Sequence, residues 1–262
     1  MVIKVAMMLI RYQSRRLNVR SFGPWIALLA LCLPAGAHAG PPFLTDDPEP
    51  TDTGHWEIYA PALEISGQGP DFEGSSGVEI NYGAANDLQL TLGLPAAYSH
   101  SRSGWEWGTD DVKMSAEYRF YHSEKAGISL AVFPGITLPS GSHGLGAGRV
   151  TALLPIWGQK DIGPWSVFGG GGYAINPGAG NRNYWTGGIA LSRQFGKNLL
   201  IGIEADRQGA DTVDGNGSTS LGIGAIYQLP KPFRILASGG PTFSDHGGAT
   251  GFHAFAALGV DF

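Results

Sequence analysis

From residue 55 to the C-terminus, apolar and polar side chains alternate with a period of two, interrupted only by clusters of Gly, Pro, Asn, Asp and Ser. In Val78-Glu-Ile-Asn-Tyr82 the apolar residues share one face and Glu79 and Asn81 the other. In Leu88-Gln-Leu-Thr-Leu-Gly-Leu94 four leucines oppose Gln89, Thr91 and Gly93. Val112, Met114, Ala116, Tyr118 and Phe120 oppose Lys113, Ser115, Glu117, Arg119 and Tyr121. The chain ends with Phe252, Ala254, Ala256, Leu258, Val260 and Phe262 alternating with His253, Phe255, Ala257, Gly259 and Asp261. A soluble sandwich would show the same alternation, so run length decides. These runs are about ten residues long, the reach of a tilted strand across a bilayer, where soluble strands average about five or six.

Runs start near Trp56, Val78, Leu88, Val112, Ile128, Arg149, Trp165, Tyr184, Leu199, Thr219, Phe233 and Phe252. That predicts an all-β fold, a closed antiparallel transmembrane β-barrel of about 12 strands. An even count puts the N- and C-termini on one side, expected to be periplasmic. Tight turns are then expected at 83–87, 122–127, 159–164, 195–198 and 229–232, and outward loops near 67–76, 101–110, 139–147, 176–183, 207–217 and 244–250. Tyr82, Phe120, Trp165, Tyr227, Phe233 and Phe262 fall beside the tight turns, at the headgroup depth that amphipathic rings favour. Pro61, inside the first run, predicts a bulge. Hydrocarbon offers no water to an unpaired edge, so the last strand must meet the first.

Ahead of the barrel (55–262), Thr45-Asp-Asp-Pro-Glu-Pro-Thr-Asp-Thr-Gly54 is acidic and aperiodic. It reads as an exposed periplasmic lead-in over 40–54. Residues 1–39 read as a signal peptide. Lys4, Arg11, Arg15, Arg16 and Arg20 precede the apolar run 24–34, and Ala37-His-Ala39 offers small residues for cleavage near Ala39. Cys32, the single cysteine, lies within that run; Leu31 before it argues against a lipid anchor.

Composition agrees with strands, since 41 Gly and 17 Pro with 15% charged residues are poor material for helix surfaces. The mean hydropathy of −0.02 resembles that of a soluble protein because lipid-facing and lumen-facing residues cancel. Beyond residue 39 the chain keeps 12 basic against 22 acidic side chains, which excludes a nucleic-acid footprint.

The stretch Leu154-Pro-Ile-Trp-Gly-Gln-Lys-Asp-Ile-Gly-Pro-Trp-Ser-Val-Phe-Gly-Gly-Gly-Gly-Tyr-Ala-Ile-Asn-Pro-Gly178 resembles the MetA-pathway of phenol degradation family of bacterial outer-membrane barrels. Pro42, the Thr45-Asp-Asp-Pro48 to Gly54-His-Trp-Glu57 block and the terminal apolar strand fit as well. The resemblance covers most of the chain beyond the signal segment and implies a transporter-like barrel that handles aromatic compounds. Its motifs are structural and carry no catalytic set.

Candidate chemistry lies on the face predicted to line the lumen: Glu79, Lys113, Glu117, Arg119, Arg149, Glu204, Asp206 and Arg234. Opposed charges across a pore would order water and select small polar or amphipathic solutes. Paired across strands, they would plug it instead. Gly202, Gly222, Gly224 and Gly259 would leave space. The run 169–172 lacks the Lys-Ser/Thr and helix of a phosphate loop, so strand curvature accounts for it better. The segment 211–217 has oxygen ligands but lacks the spacing and distal Glu of a calcium loop. Ser244-Asp-His246 and His253 are the residues a lipid-active barrel enzyme would draw on, with no nucleophile placed beside them. The expectation is a non-enzymatic channel without cofactor or metal, sited in the bacterial outer membrane. Its expected partners are a small-molecule solute, lipid and lipopolysaccharide, and the barrel-assembly machinery reading Phe252, Leu258, Val260 and Phe262. A lipid-active enzyme and a plugged structural barrel are the alternatives.

Overall fold

The computed structural model describes residues 42–142, 144–245 and 250–262. The predicted signal segment, its cleavage point and His246 lie outside them. Fourteen strands follow one another: β1 (Trp56–Gln68), β2 (Asp71–Ala85), β3 (Leu88–Ser101), β4 (Gly104–Thr109), β5 (Val112–Ser123), β6 (Ile128–Val132), β7 (Gly135–Leu138), β8 (Thr151–Ile162), β9 (Trp165–Ile175), β10 (Tyr184–Phe195), β11 (Leu199–Gln208), β12 (Ser218–Gln228), β13 (Phe233–Ser244) and β14 (Thr250–Asp261). They make twelve staves. β4 and β5 both pair with β3, and β6 and β7 both lie between β5 and β8. The second division falls at Phe133-Pro134, where Pro134 has no N–H to give the ladder.

Every neighbouring pair is antiparallel and the ring closes between β1 and β14, from Glu57↔Asp261 to Gly67↔Phe252. Beyond that register, Trp56 and Phe262 exchange reciprocal backbone hydrogen bonds of 2.7 and 3.0 Å. The bulge expected at Pro61 is present, since the register of β1 shifts between Tyr59 and Ala62 against both neighbours. Two expected outer loops are instead strand. β1 and β2 run on to a turn at 69–70, and β3 continues into a hairpin with β4, so 67–76 and 101–110 are mostly paired backbone. Their polar residues still alternate, and alternation, not polarity, marks a strand whose ends rise out of the bilayer.

The outward face is apolar all round: Leu90, Ile156, Ile189, Ile203, Ile223 and Ile235 are among its exposed side chains. An apolar surface of that extent is the exterior of a barrel seated in hydrocarbon. Aromatic rings gather at both rims. The end carrying the C-terminus shows Trp56, Tyr82, Tyr118, Trp165, Tyr227 and Phe262, with the Arg193 guanidinium 5.0 Å from the Trp165 ring and 4.9 Å from that of Phe195. The opposite end has Phe72, Tyr98, His100, Trp105 and Trp107 in mutual contact.

The glycine run of β9, read from the sequence as serving strand curvature, lies where neighbouring backbone comes close. A Cβ on Gly170 would stand 2.0 Å from the Ile156 carbonyl oxygen of β8. Overpacking costs about 1–3 kcal/mol even where neighbours can shift, and backbone shifts least. Gly170→Val should therefore lower the folded fraction, read as loss of heat-modifiable mobility on a gel; unchanged mobility would contradict the account.

Candidate functional site

The site begins with the segment read above as exposed. Pro48 and Pro50 bar it from a helix or a sheet ladder, so its remaining N–H groups must find acceptors elsewhere. They find them inside the barrel. Thr45, Asp47, Pro48 and Thr51 are buried, and residues 42–51 form a strap in the lumen that the exposed residues 52–54 join to β1. The expectation of an exposed lead-in is corrected, because inward-facing side chains of six strands solvate its backbone and charges.

Four contacts hold it. Glu204 on β11 accepts the backbone N–H groups of Leu44 and Thr45 on its two oxygens, at 3.1 and 3.0 Å. Gln89 on β3 accepts both the N–H and the hydroxyl of Thr51 at 2.8 and 2.7 Å. Glu49 meets Arg119 of β5 at 2.7 Å, and its other oxygen accepts from Ser129 (3.0 Å) and Gln159 (3.3 Å). Ser238 donates to the Pro42 carbonyl. Just beyond the strap, Gly54 N–H donates to the Gly83 carbonyl at 2.7 Å.

Packing completes the anchorage. Phe43 stands on two glycines of adjacent strands, where a Cβ on Gly202 or Gly224 would lie 2.6 or 2.9 Å from its ring. The ring meets Phe168 edge-on at 5.8 Å and also packs on the lumen cluster of Tyr59, Leu200, Ile226, Leu236 and Ala257. The space expected at Gly202 and Gly224 is thus filled by the strap.

The sequence-predicted lining residues separate into groups. Glu79, Lys113, Glu117 and Arg234 line a lumen cavity of about 800 Å³. Arg119 and Glu204 grip the strap, and Asp206 faces inward beside Gly188, whose Cβ would press on Thr45. Arg149 differs from expectation. It precedes β8 and donates to the Ala147 and Pro177 carbonyls at 2.9 and 2.8 Å, clamping two loops together, and it does not line the cavity. Arg149 lies two residues outside the paired backbone of β8, so parity there no longer fixes direction.

The arginines do not stand free across a pore. Arg119 also meets Asp87 at 2.7 Å, and Arg234, 4% exposed, meets Glu57 at 2.7 Å and Asp261 at 3.3 Å with Tyr59 beneath its guanidinium. Buried charge is stable only when so compensated. Sequence reasoning missed Phe43, Asp47 and Glu49, all on the strap. The small inward residues on β10–β12 were their signal, marking a lumen with room for a foreign segment. Of the residues weighed for catalysis, His253 faces the cavity with Thr242 hydroxyl 3.3 Å from its Nδ1, and Asp245 is bound by Arg207.

Burial raises Asp46 to about 7 and pushes Asp47 well above the usual carboxylate range, with Glu79 adding to the first and Asp46, Glu117 and Glu49 to the second.

No protein-family model and no curated protein matches the chain. Solved structures do. The chain has the fold of bacterial outer-membrane barrels. An outer-membrane channel from Pseudomonas putida F1 superposes with a TM-score of 0.69 at 14% identity, over 82% of this chain and 98% of that one. The KdgM porin follows at 0.56 and 12%, covering 79% and 99%, and the translocator domain of the autotransporter NalP from Neisseria meningitidis at 0.53 and 15%, covering 81% and 89%.

Two outcomes test the docking of the strap. Glu49→Ala leaves Arg119 short of a partner. Breaking a buried pair costs about 3–5 kcal/mol, and discounting for partial exposure leaves about 2, so amide exchange over 44–51 should quicken by about thirtyfold. No change in those amides would refute the contact. Second, a carboxyl raised on docking favours the docked state in its protonated form. Protection of 44–51, corrected for intrinsic exchange, should hold at low pH and fall as pH rises from about 4 through about 7, by up to about tenfold per unit for one group. Asp46→Asn should flatten that profile.

Proposed function

We propose that the protein is a narrow channel of the bacterial outer membrane for small solutes, throttled by its own N-terminal strap. The single observation that carries this reading is the lumen cavity of about 800 Å³, bounded by both wall and strap inside a closed barrel with an apolar exterior. A barrel built only for envelope structure has no need of such a space. The fold shared with the Pseudomonas putida channel and the KdgM porin supports the reading.

Orientation follows from the connections. Turns at 86–87, 124–127, 163–164, 196–198 and 229–232 are short and lie at the end with the C-terminus, while the longest connections, 139–150, 176–183 and 209–217, lie at the other. Outer-membrane barrels place short turns in the periplasm and long loops outside. These lengths support periplasmic termini, with the segment 1–39 as export signal and the outward Phe252, Leu258, Val260 and Phe262 facing lipid as the mark read by the assembly machinery. The resemblance to the phenol-degradation family favours aromatic compounds among the solutes. Glu79, Lys113 and Glu117 act on those solutes as charged wall, and catalysis has no part.

Planar bilayers test the proposal. The intact protein should give small conductance steps, and removal of residues 42–51 should enlarge them. A barrel silent in both forms would be a plugged structural barrel, and hydrolysis of lipid lost in His253→Ala would make it an enzyme.

A further inference from the structure

The cavity has two unlike sides. Its basic side chains are few, because Arg234 is consumed by Glu57, and only Lys113 accompanies it on the wall. Against them stand Glu64, Glu73, Glu79 and Glu117 from β1, β2 and β5, with Asp47 on the strap. Within this set, two oxygens are exceptional. Oε1 of Glu117 and Oδ2 of Asp47 accept no hydrogen bond, although the residues are only 3% and 2% exposed and both line the cavity. A buried carboxylate oxygen without a donor is costly, and few native sites retain one without a purpose.

The other side is apolar. Ile226 of β12 lies six staves from Glu117 of β5 in the ring of twelve, hence across the lumen from it, and Phe255 of β14 and Phe43 of the strap flank it on the cavity wall. A hydrated inorganic cation has no use for that wall. An anion or a neutral arene has no use for the opposite one.

We propose that the lumen binds an amphipathic organic monocation of the arylalkylamine class. Its ammonium group donates to the free oxygens of Glu117 and Asp47, and its apolar body lies against Phe43, Ile226 and Phe255. An ammonium placed between the two carboxyls favours their ionised forms, so its three N–H donors and positive charge meet acceptors that its own binding charges, and an aromatic face favours the cation's flank. The inference rests on the channel reading and narrows its solute class from aromatic compounds to their amines.

Calorimetry on the full chain in nonionic micelles tests the site apart from conduction. Phenethylammonium should bind saturably to one site. The isosteric neutral 2-phenylethanol, and phenethylammonium on the double variant Glu117→Gln/Asp47→Asn, should each bind at least about tenfold more weakly, the loss of one charged hydrogen bond. Partition into micelles is non-saturable and equal in all variants. Equal affinity for amine and alcohol, or unchanged affinity in the double variant, overturns the proposal. Heat-modifiable mobility reports folding of the double variant, and if it fails, Glu117→Gln alone is read against the same tenfold criterion. Bilayer recordings separate the two readings. Conductance blocked equally by amine and alcohol overturns the amine site alone, whereas saturable amine binding to a silent barrel supports the site and overturns the channel.

Discussion

The ladder between Trp56 and Phe262 closes a sheet that could not otherwise exist where it does. In hydrocarbon an unpaired N–H or carbonyl costs several kcal/mol, and an open twelve-stave sheet would present two whole edges of them. Closure removes both, and it fixes much else. Once the ring is shut, the pleat sends Leu258 and Val260 outward and Gly259 and Asp261 inward, and the same parity runs around every stave. The bulge at Ala60 and Pro61 is accommodated on both sides of β1 at the same place, so neither ladder loses register beyond it.

A ring of twelve staves also encloses more space than its own inward side chains fill. On the side of β9–β14, Phe168, Leu200, Ile226 and Leu236 build an apolar core inside the lumen, and Phe43 completes it from the strap. The strap reaches that core because glycines stand where its ring and backbone pass. Its charged end lands on the opposite wall, where Glu49 supplies Arg119 with a second carboxylate. Filling and charge compensation are thus one event: the segment that plugs the apolar side neutralises a cation on the polar side.

That event leaves the remaining lumen lopsided. Arginines are tied to carboxylates at the end near the C-terminus, and the open volume retains acidic side chains facing an apolar wall. Of the two arrangements open to the inward charges, a transverse field requires arginines without partners, whereas paired charges do not. Two of the arginines have partners, and Arg149 is held by loop carbonyls and does not line the cavity.

By itself the sequence determined the barrel. Twelve runs of alternating residues, the turn clusters between them and the bulge at Pro61 are local properties of a strand, and period-two alternation specifies which face each residue takes without reference to any other strand. It assigns Glu79, Glu117, Glu204 and Arg234 to one face, and in the structure three of these line the cavity while Glu204 holds the strap. It overextended polar stretches into loops at 67–76 and 101–110, since local polarity does not distinguish a strand above the bilayer from a loop. The path of residues 42–54 was decided only by tertiary structure. An aperiodic acidic segment carries no internal preference for a location; its place depends on Glu204, Gln89 and Arg119, which lie 38 or more residues away in sequence for each contact. Which lumen charges remain free was likewise settled there, because pairing depends on distances across the ring that no single strand encodes.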